Sequence, residues 1–145
     1  TEFNHVICEN EGSQFRSRDK YPQAVAQMIK GNKSFIGQKE DVSILPDAPA
    51  SVITSIDGYG NIKTSIRDAD IKLKPGQMIT IDINGKKHTA TYTDGIFNIH
   101  EGELAFAPGS SGYDNRFLEI FLRGGSAKRL FDNPEVESEI KIRIN

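Results

Sequence analysis

Tryptophan is missing from these 145 residues, and cysteine occurs once, at Cys8. A lone cysteine excludes an internal disulfide and cannot build a cysteine zinc site. Cys8 reads instead as a small apolar strand residue. Charge of one sign is lacking too. Against 20 Asp and Glu stand 18 Lys and Arg, a net charge of −2, so the electrostatics favour neither nucleic acid nor an anionic membrane surface. No apolar run approaches the roughly 18 residues that a membrane-crossing helix needs. The three histidines, His5, His88 and His100, have no second ligand at metal spacing. His5 reads as structural, the other two as surface residues, and no metal is expected. The chain starts Thr1-Glu2-Phe3, with no initiating Met and no charged-then-apolar leader. It reads as a piece of a longer gene product, and the expected location is cytoplasmic.

What is present is a series of short β-like segments around residues 51–66. Val52, Ile53 and Ile56 lead into a polar turn, and Ile62, Thr64 and Ile66 lead out, which is a hairpin pattern. The turn itself is Asp57-Gly58-Tyr59-Gly60-Asn61. Two readings stand side by side. Asp, Asn and Gly make ordinary turns because Asx side chains bond their own backbone. An aromatic face beside a carboxylate and an amide can equally hold a small polar ligand.

Before the hairpin, residues 3–8 read as a strand and residues 9–14 as a polar connector. A helix is expected over about 20–30. Asp19 would be its N-cap, with Pro22 in the first turn and Gly31 as the stop. Ala24, Val25, Met28 and Ile29 would share one face. Residues 32–49, with Gly37, Pro46 and Pro49, read as a linker.

After the hairpin, Met78 to Ile83 alternates, Asn84-Gly85 marks a tight turn, and residues 87–92 return as a partner strand. Residues 103–106, 117–122 and 140–144 are further strands. The chain should therefore be mainly β, a small antiparallel β-barrel or sandwich preceded by one α-helix. The loop Pro108-Gly109-Ser110-Ser111-Gly112-Tyr113 is either a flexible turn or a concavity of hydroxyls and backbone N–H groups for a carboxylate. Gly124-Gly125 is a bend, with Ser126 capping a short helix through Phe131.

Taken in order, stretches along the chain resemble the S-adenosylmethionine (SAM) hydroxide adenosyltransferase family, which is related to the SAM-dependent fluorinase and chlorinase. Phe15, Arg18 and Asp19 match the family's T-F-H-G-R-D-x-F-A-P, with Tyr21 for the second Phe. Asp57, Gly60, Asn61, Thr64 and Ile66 match D-x-F-G-N-x-x-T-N-I, with Tyr59 for Phe and Ser65 for Asn. Thr91-Tyr92-Thr93-Asp94 resembles its T-Y-x-D. Ser110 to Tyr113 match N-S-S-G-Y, with Gly109 for Asn and with Asp114-Asn115-Arg116 as a small insertion. Residues 118–127 resemble L-E-I-A-x-N-G-G-S-A, with Arg123 for Asn.

The resemblance implies two parts. Residues 1–49 would be the tail of an N-terminal α/β domain, and residues 50–145 the C-terminal β-barrel. SAM would be the substrate, with no separate cofactor, and water would displace methionine to leave adenosine. Asp57 and Asn61 would hold the methionine end, and Tyr59 would pack on the ligand. Ser110 and Ser111 would bind carboxylate, while Arg123, Gly124 and Gly125 would meet adenine through their backbone. Arg16 stands where hydroxide-using members carry a water-activating His, and Arg cannot act as a base at neutral pH. Ser17 replaces a Gly and matches the halide-pocket Ser of the fluorinase type, which makes it the one catalytic candidate. The resemblance further implies a homotrimer formed through the N-terminal domain, and a chain inactive without that domain. The competing expectation is a divergent stand-alone barrel that binds another ligand or serves oligomerisation.

Overall fold

The computed structural model describes residues 2–8, 14–47, 49–95 and 98–145. Of the expected polar connector at 9–14, only Gln14 lies within the described residues. The chain divides into two compact units, Thr1–Asp47 and Ala48–Asn145.

In the first unit, strand β1 (Asn4–Val6) pairs antiparallel with β2 (Ile36–Lys39). Helix α1 (Arg16–Asp19) runs almost directly into α2 (Tyr21–Ile29). Asp19 is thus the last residue of α1 and not the cap of α2. Its carboxylate is taken up by the neighbouring Arg18 guanidinium, with Nη2 donating to Oδ2 over 2.8 Å. Lys20 holds the cap position, and no side-chain hydrogen bond caps the helix there. The helix stops as expected. Gly31, at φ +87°, donates to Met28 O and Asn32 donates to Gln27 O, the paired bonds of a Schellman end. The apolar face is only partly used. Ala24 is buried and Met28 half-buried, whereas Val25 is exposed and Ile29 is 81% exposed. The stretch 32–49 carries β2 and a 3-10 turn, Val42–Ile44. Cys8 falls just beyond β1 and is half-buried. His5 is tied to Glu40 at 2.7 Å, a structural contact.

The second unit is one curled sheet. Its strands are β3 (Ile53–Ile56), β4 (Ile62–Arg67), β5 (Met78–Ile83), β6 (Lys86–Tyr92), β7 (Leu104–Pro108), β8 (Phe117–Leu122) and β9 (Ile140–Ile144). They lie in the order β3-β4-β8-β7-β6-β5-β9. Every neighbouring pair is antiparallel except β6 and β7, where Thr91 faces Ala105 and Tyr92 faces Phe106 in parallel register. The edges approach each other at one corner. Ile53 N donates to Ser138 O, Ile140 N donates to Ser51 O, and Val52 bridges Glu139.

Period-2 alternation fills the interior. Ile62, Thr64 and Ile66 of β4 and Ile79, Ile81 and Ile83 of β5 all point inward. They meet Phe106, Leu118, Ile120 and Phe131. Thr64 is admitted to this core because its hydroxyl donates to Leu118 O at 2.7 Å. Asn84 and Gly85 both take positive φ, 52° and 82°, as a type I′ turn requires. Short helix α3 (Ala127–Leu130) is capped by Ser126, which accepts from Arg129 N. His88 is not a free surface residue. It is half-buried, with its ring edge-on to Phe131 at 4.9 Å. Among the described residues no helix is long and apolar enough to cross a membrane.

Burial predicts an uneven response to truncation. Ile81→Ala should cost about 2–5 kcal/mol, and Ile29→Ala should stay within about 0.5 kcal/mol of zero. Urea unfolding of the two variants checks this; equal losses would contradict the assigned core.

Candidate functional site

The turn between β3 and β4 is held by one carboxylate. Asp57 Oδ1 accepts from the backbone N–H of Tyr59 at 2.9 Å and of Asn61 at 3.0 Å. Oδ2 accepts from the Asn61 amide at 2.9 Å. Burial alone would raise the Asp57 pKa, but the bonds from Asn61, Tyr59 and Gly60 outweigh it and hold the group below its ordinary value. So the structural reading of Asp57 and Asn61 is realised, and one lone pair or more of Oδ2 remains for a ligand. Tyr59, by contrast, is 85% exposed.

The turn is pressed against the start of α3. Gly60 sits at φ +85°, and a Cβ there would lie 2.0 Å from Ser126 Oγ. Gly60 O accepts from Lys128 N at 2.8 Å. Between the two elements opens a cleft of about 690 Å³, lined by Asp57, Gly58, Tyr59, Gly60, Gly125, Ser126, Lys128, Arg129 and Asn133. That is within the range of small-ligand sites. Asp57, Tyr59 and Gly125 come together here, with Asn61 behind Asp57 and Gly124 beside Gly125. Arg123 directs Nη1 to Ile99 O instead.

The serine loop lies elsewhere. Phe117 N donates to Ser111 O, which puts Ser110 and Ser111 at the start of β8, whereas Arg123 to Gly125 follow its end. About 20 Å of strand separates the two, and neither serine lines the cleft. Beneath that loop Lys63 Nζ meets Glu119 Oε1 at 3.1 Å, and the Glu119 side chain is only 6% exposed. A Cβ on Gly109 would fall 1.9 Å from the same oxygen. A side chain at 109 would therefore require the Glu119 side chain to shift.

Tyr92, in the Thr91 to Asp94 motif, donates its hydroxyl to Asp68 Oδ1. Burial first, then that bond and the Asp68 charge, push its pKa up to about 12. Tyr92 is therefore a neutral structural donor. Arg16 and Ser17 lie on exposed α1 in the first unit. Among the described residues no cluster of His, Cys, Asp or Glu could hold a metal ion. Sequence reasoning missed Lys128, Arg129 and Asn133. Their signal was only position, a basic pair separated by two residues from a Gly-Gly bend.

The family of the SAM hydroxide adenosyltransferase C-terminal domain matches residues 51–137, more than half of the chain. No curated protein matches. An uncharacterized conserved protein from Thermotoga maritima superposes with a TM-score of 0.68 at 20% identity, over 99% of this chain and 60% of its own. A conserved hypothetical protein from Thermus thermophilus gives 0.56 at 18% identity, over 88% of this chain and 52% of its own. At such identities these two structures speak for the fold. The chain spans less than two thirds of either.

The contact at Gly60 makes a prediction. Gly60→Ala should cost about 1–3 kcal/mol through its positive φ and its clash. Ser126→Gly in the same chain should recover part of that loss, measured by thermal melting as a double-mutant cycle; strict additivity would refute the contact. Asp57 adds a pH signature. Because its folded pKa is lowered, its stabilisation is complete above the unfolded value of about 3.9 and is lost as pH falls through the lower folded value. Asp57→Asn should remove that acid-side component.

Proposed function

We propose, from the premise that this chain belongs to the SAM hydroxide adenosyltransferase C-terminal domain family, that its cleft forms half of a SAM site. The observation that carries this reading is the convergence of Asp57, Tyr59, Gly60 and Gly125 on one cleft. In it the Tyr59 ring offers a stacking face, and the backbone at Arg123 to Gly125 meets the adenine edge. Asp57, with its unused Oδ2 capacity, faces the ligand's ammonium, and Asn61 keeps that carboxylate oriented. Ser110 and Ser111 form a separate loop of hydroxyls at the far end of β8.

The reaction proposed for the complete site is substitution at the ribose 5′ carbon. A C–O bond forms from water as the C–S bond breaks. The bonding pair returns to sulfur, neutralising the sulfonium, and methionine leaves. Water gives up one proton and adenosine results. This chain holds Arg16 where a base is needed, and a guanidinium cannot take that proton at neutral pH. Turnover therefore requires groups outside these residues, in keeping with a chain that spans 60% of its Thermotoga maritima relative. In this reading a neighbouring subunit of a homotrimer covers the cleft, water is the nucleophile, and Ser17 would matter only for halide.

A second reading rests on one observation, that Asp57 and Asn61 are already engaged with each other. They could then serve only the turn of a barrel that binds something else. Tyr59 separates the two readings, because it is 85% exposed and only its backbone bonds to the turn. Calorimetric titration of the chain with SAM should give binding, and Tyr59→Ala should weaken it by about 1–3 kcal/mol of lost stacking at an unchanged melting temperature. Incubation with SAM should release no adenosine from this chain alone. An unaltered affinity in Tyr59→Ala, or no binding at all, would favour the turn-only reading.

A further inference from the structure

The base edge of the proposed SAM cleft is braced by a neighbouring loop. Gly102 N donates to Arg123 O at 2.8 Å, and Arg123 N donates to Glu103 O at 3.0 Å. The Arg123 guanidinium donates from Nη1 to the carbonyl of Ile99, a buried residue. Residues 99–103 are thus pinned to the end of β8 at three points. This pairing spends the Arg123 N–H, and the Gly125 N–H goes to Leu122 O at 3.1 Å. Of the three residues placed at the base, Gly124 is the one whose N–H stays unengaged among the described residues.

The same loop brings a side chain to Gly124. This glycine has φ +75°, and a Cβ on it would lie 2.8 Å from Glu101 Cγ and 2.9 Å from Glu101 Oε1. Gly125, the next residue, lines the cleft. Glu101 is exposed, and its carboxylate forms no hydrogen bond or ion pair within the described residues. An ionised carboxylate can only accept hydrogen bonds. At its 6-position a purine carries either an amine that donates, as in adenine, or an oxygen that accepts. The amine suits a carboxylate, whereas the oxygen sets lone pair against lone pair. We infer that Glu101 is a specificity-determining residue of the cleft. It accepts a hydrogen bond from the exocyclic amine of the base and so selects 6-amino over 6-oxo purines, while Arg123 holds its loop in place. The inference rests on the reading that the cleft takes SAM, and it adds a side chain to a base edge otherwise met by backbone.

The test compares SAM with its 6-oxo counterpart, in which hypoxanthine replaces adenine, by calorimetry on the full 145-residue chain. The unmutated chain should prefer SAM by about tenfold or more, because the oxo ligand leaves a charged acceptor unpaired. Glu101→Gln keeps the side-chain length but can donate as well as accept. It should cut the preference by about fivefold or more, with the 6-oxo ligand binding more tightly than before. A merely structural role for Glu101 would move both ligands together. Circular dichroism melting confirms that the variant is folded. No preference in the unmutated chain, a preference kept intact in Glu101→Gln, or equal weakening of both ligands overturns the inference. If Tyr59→Ala weakens SAM while Glu101→Gln keeps the preference, the SAM reading survives and this inference alone falls. No SAM binding by the folded, unmutated chain removes both.

Discussion

The cleft exists because Gly60 touches Ser126. At that point two elements far apart in sequence come closer than any side chain would allow, and Lys128 N closes the contact on Gly60 O. The hairpin turn and α3 therefore cannot part without losing a backbone bond and a packed contact. Asp57 stiffens the turn from within by accepting three hydrogen bonds. One wall of the site is thus ordered by local chemistry, the other by docking. A ligand entering it would meet groups already in place, so little ordering cost would be set against its affinity.

A related constraint governs the opposite end of β8. There the carboxylate of Glu119 lies under the loop that begins at Gly109, with Lys63 as its partner. A buried carboxylate is tolerable only when paired, and here the pairing occupies the volume of a side chain. The Glu119 side chain lies where a side chain at 109 would begin. Tyr92, its phenol kept neutral, donates to the half-buried Asp68. These contacts hold loops to the sheet.

The first unit follows different rules. Ala24 is its one buried residue among those described, while Phe15, Val25 and Ile29 stay exposed. With so little apolar area removed from water, its order rests on the β1–β2 pairing and the Schellman end of α2. Helical spacing in a sequence marks where an apolar face points. Whether anything covers that face is a separate matter, and this unit covers only a part of it.

The sequence by itself determined the strands of the barrel. Alternation at Ile79, Ile81 and Ile83, paired positive φ at Asn84-Gly85, and the Ser126 cap are local consequences of side-chain shape and backbone freedom, legible one segment at a time. The family was legible too, because its motifs are contiguous strings. The fate of Asp19 was not, since Arg18 competes for its carboxylate through a contact that propensity ignores. Nor was the parallel β6–β7 pair, as strand order is set by global packing and not by any one strand's pattern. The site divides the same way. Asp57, Tyr59 and Asn61 could be picked out because they share one turn. Only the tertiary structure brought Gly125, Lys128 and Arg129 to that turn and carried Ser110 and Ser111 away from it. Its reason is register: residues at the two ends of one extended strand stand about 20 Å apart, however close they look in the sequence.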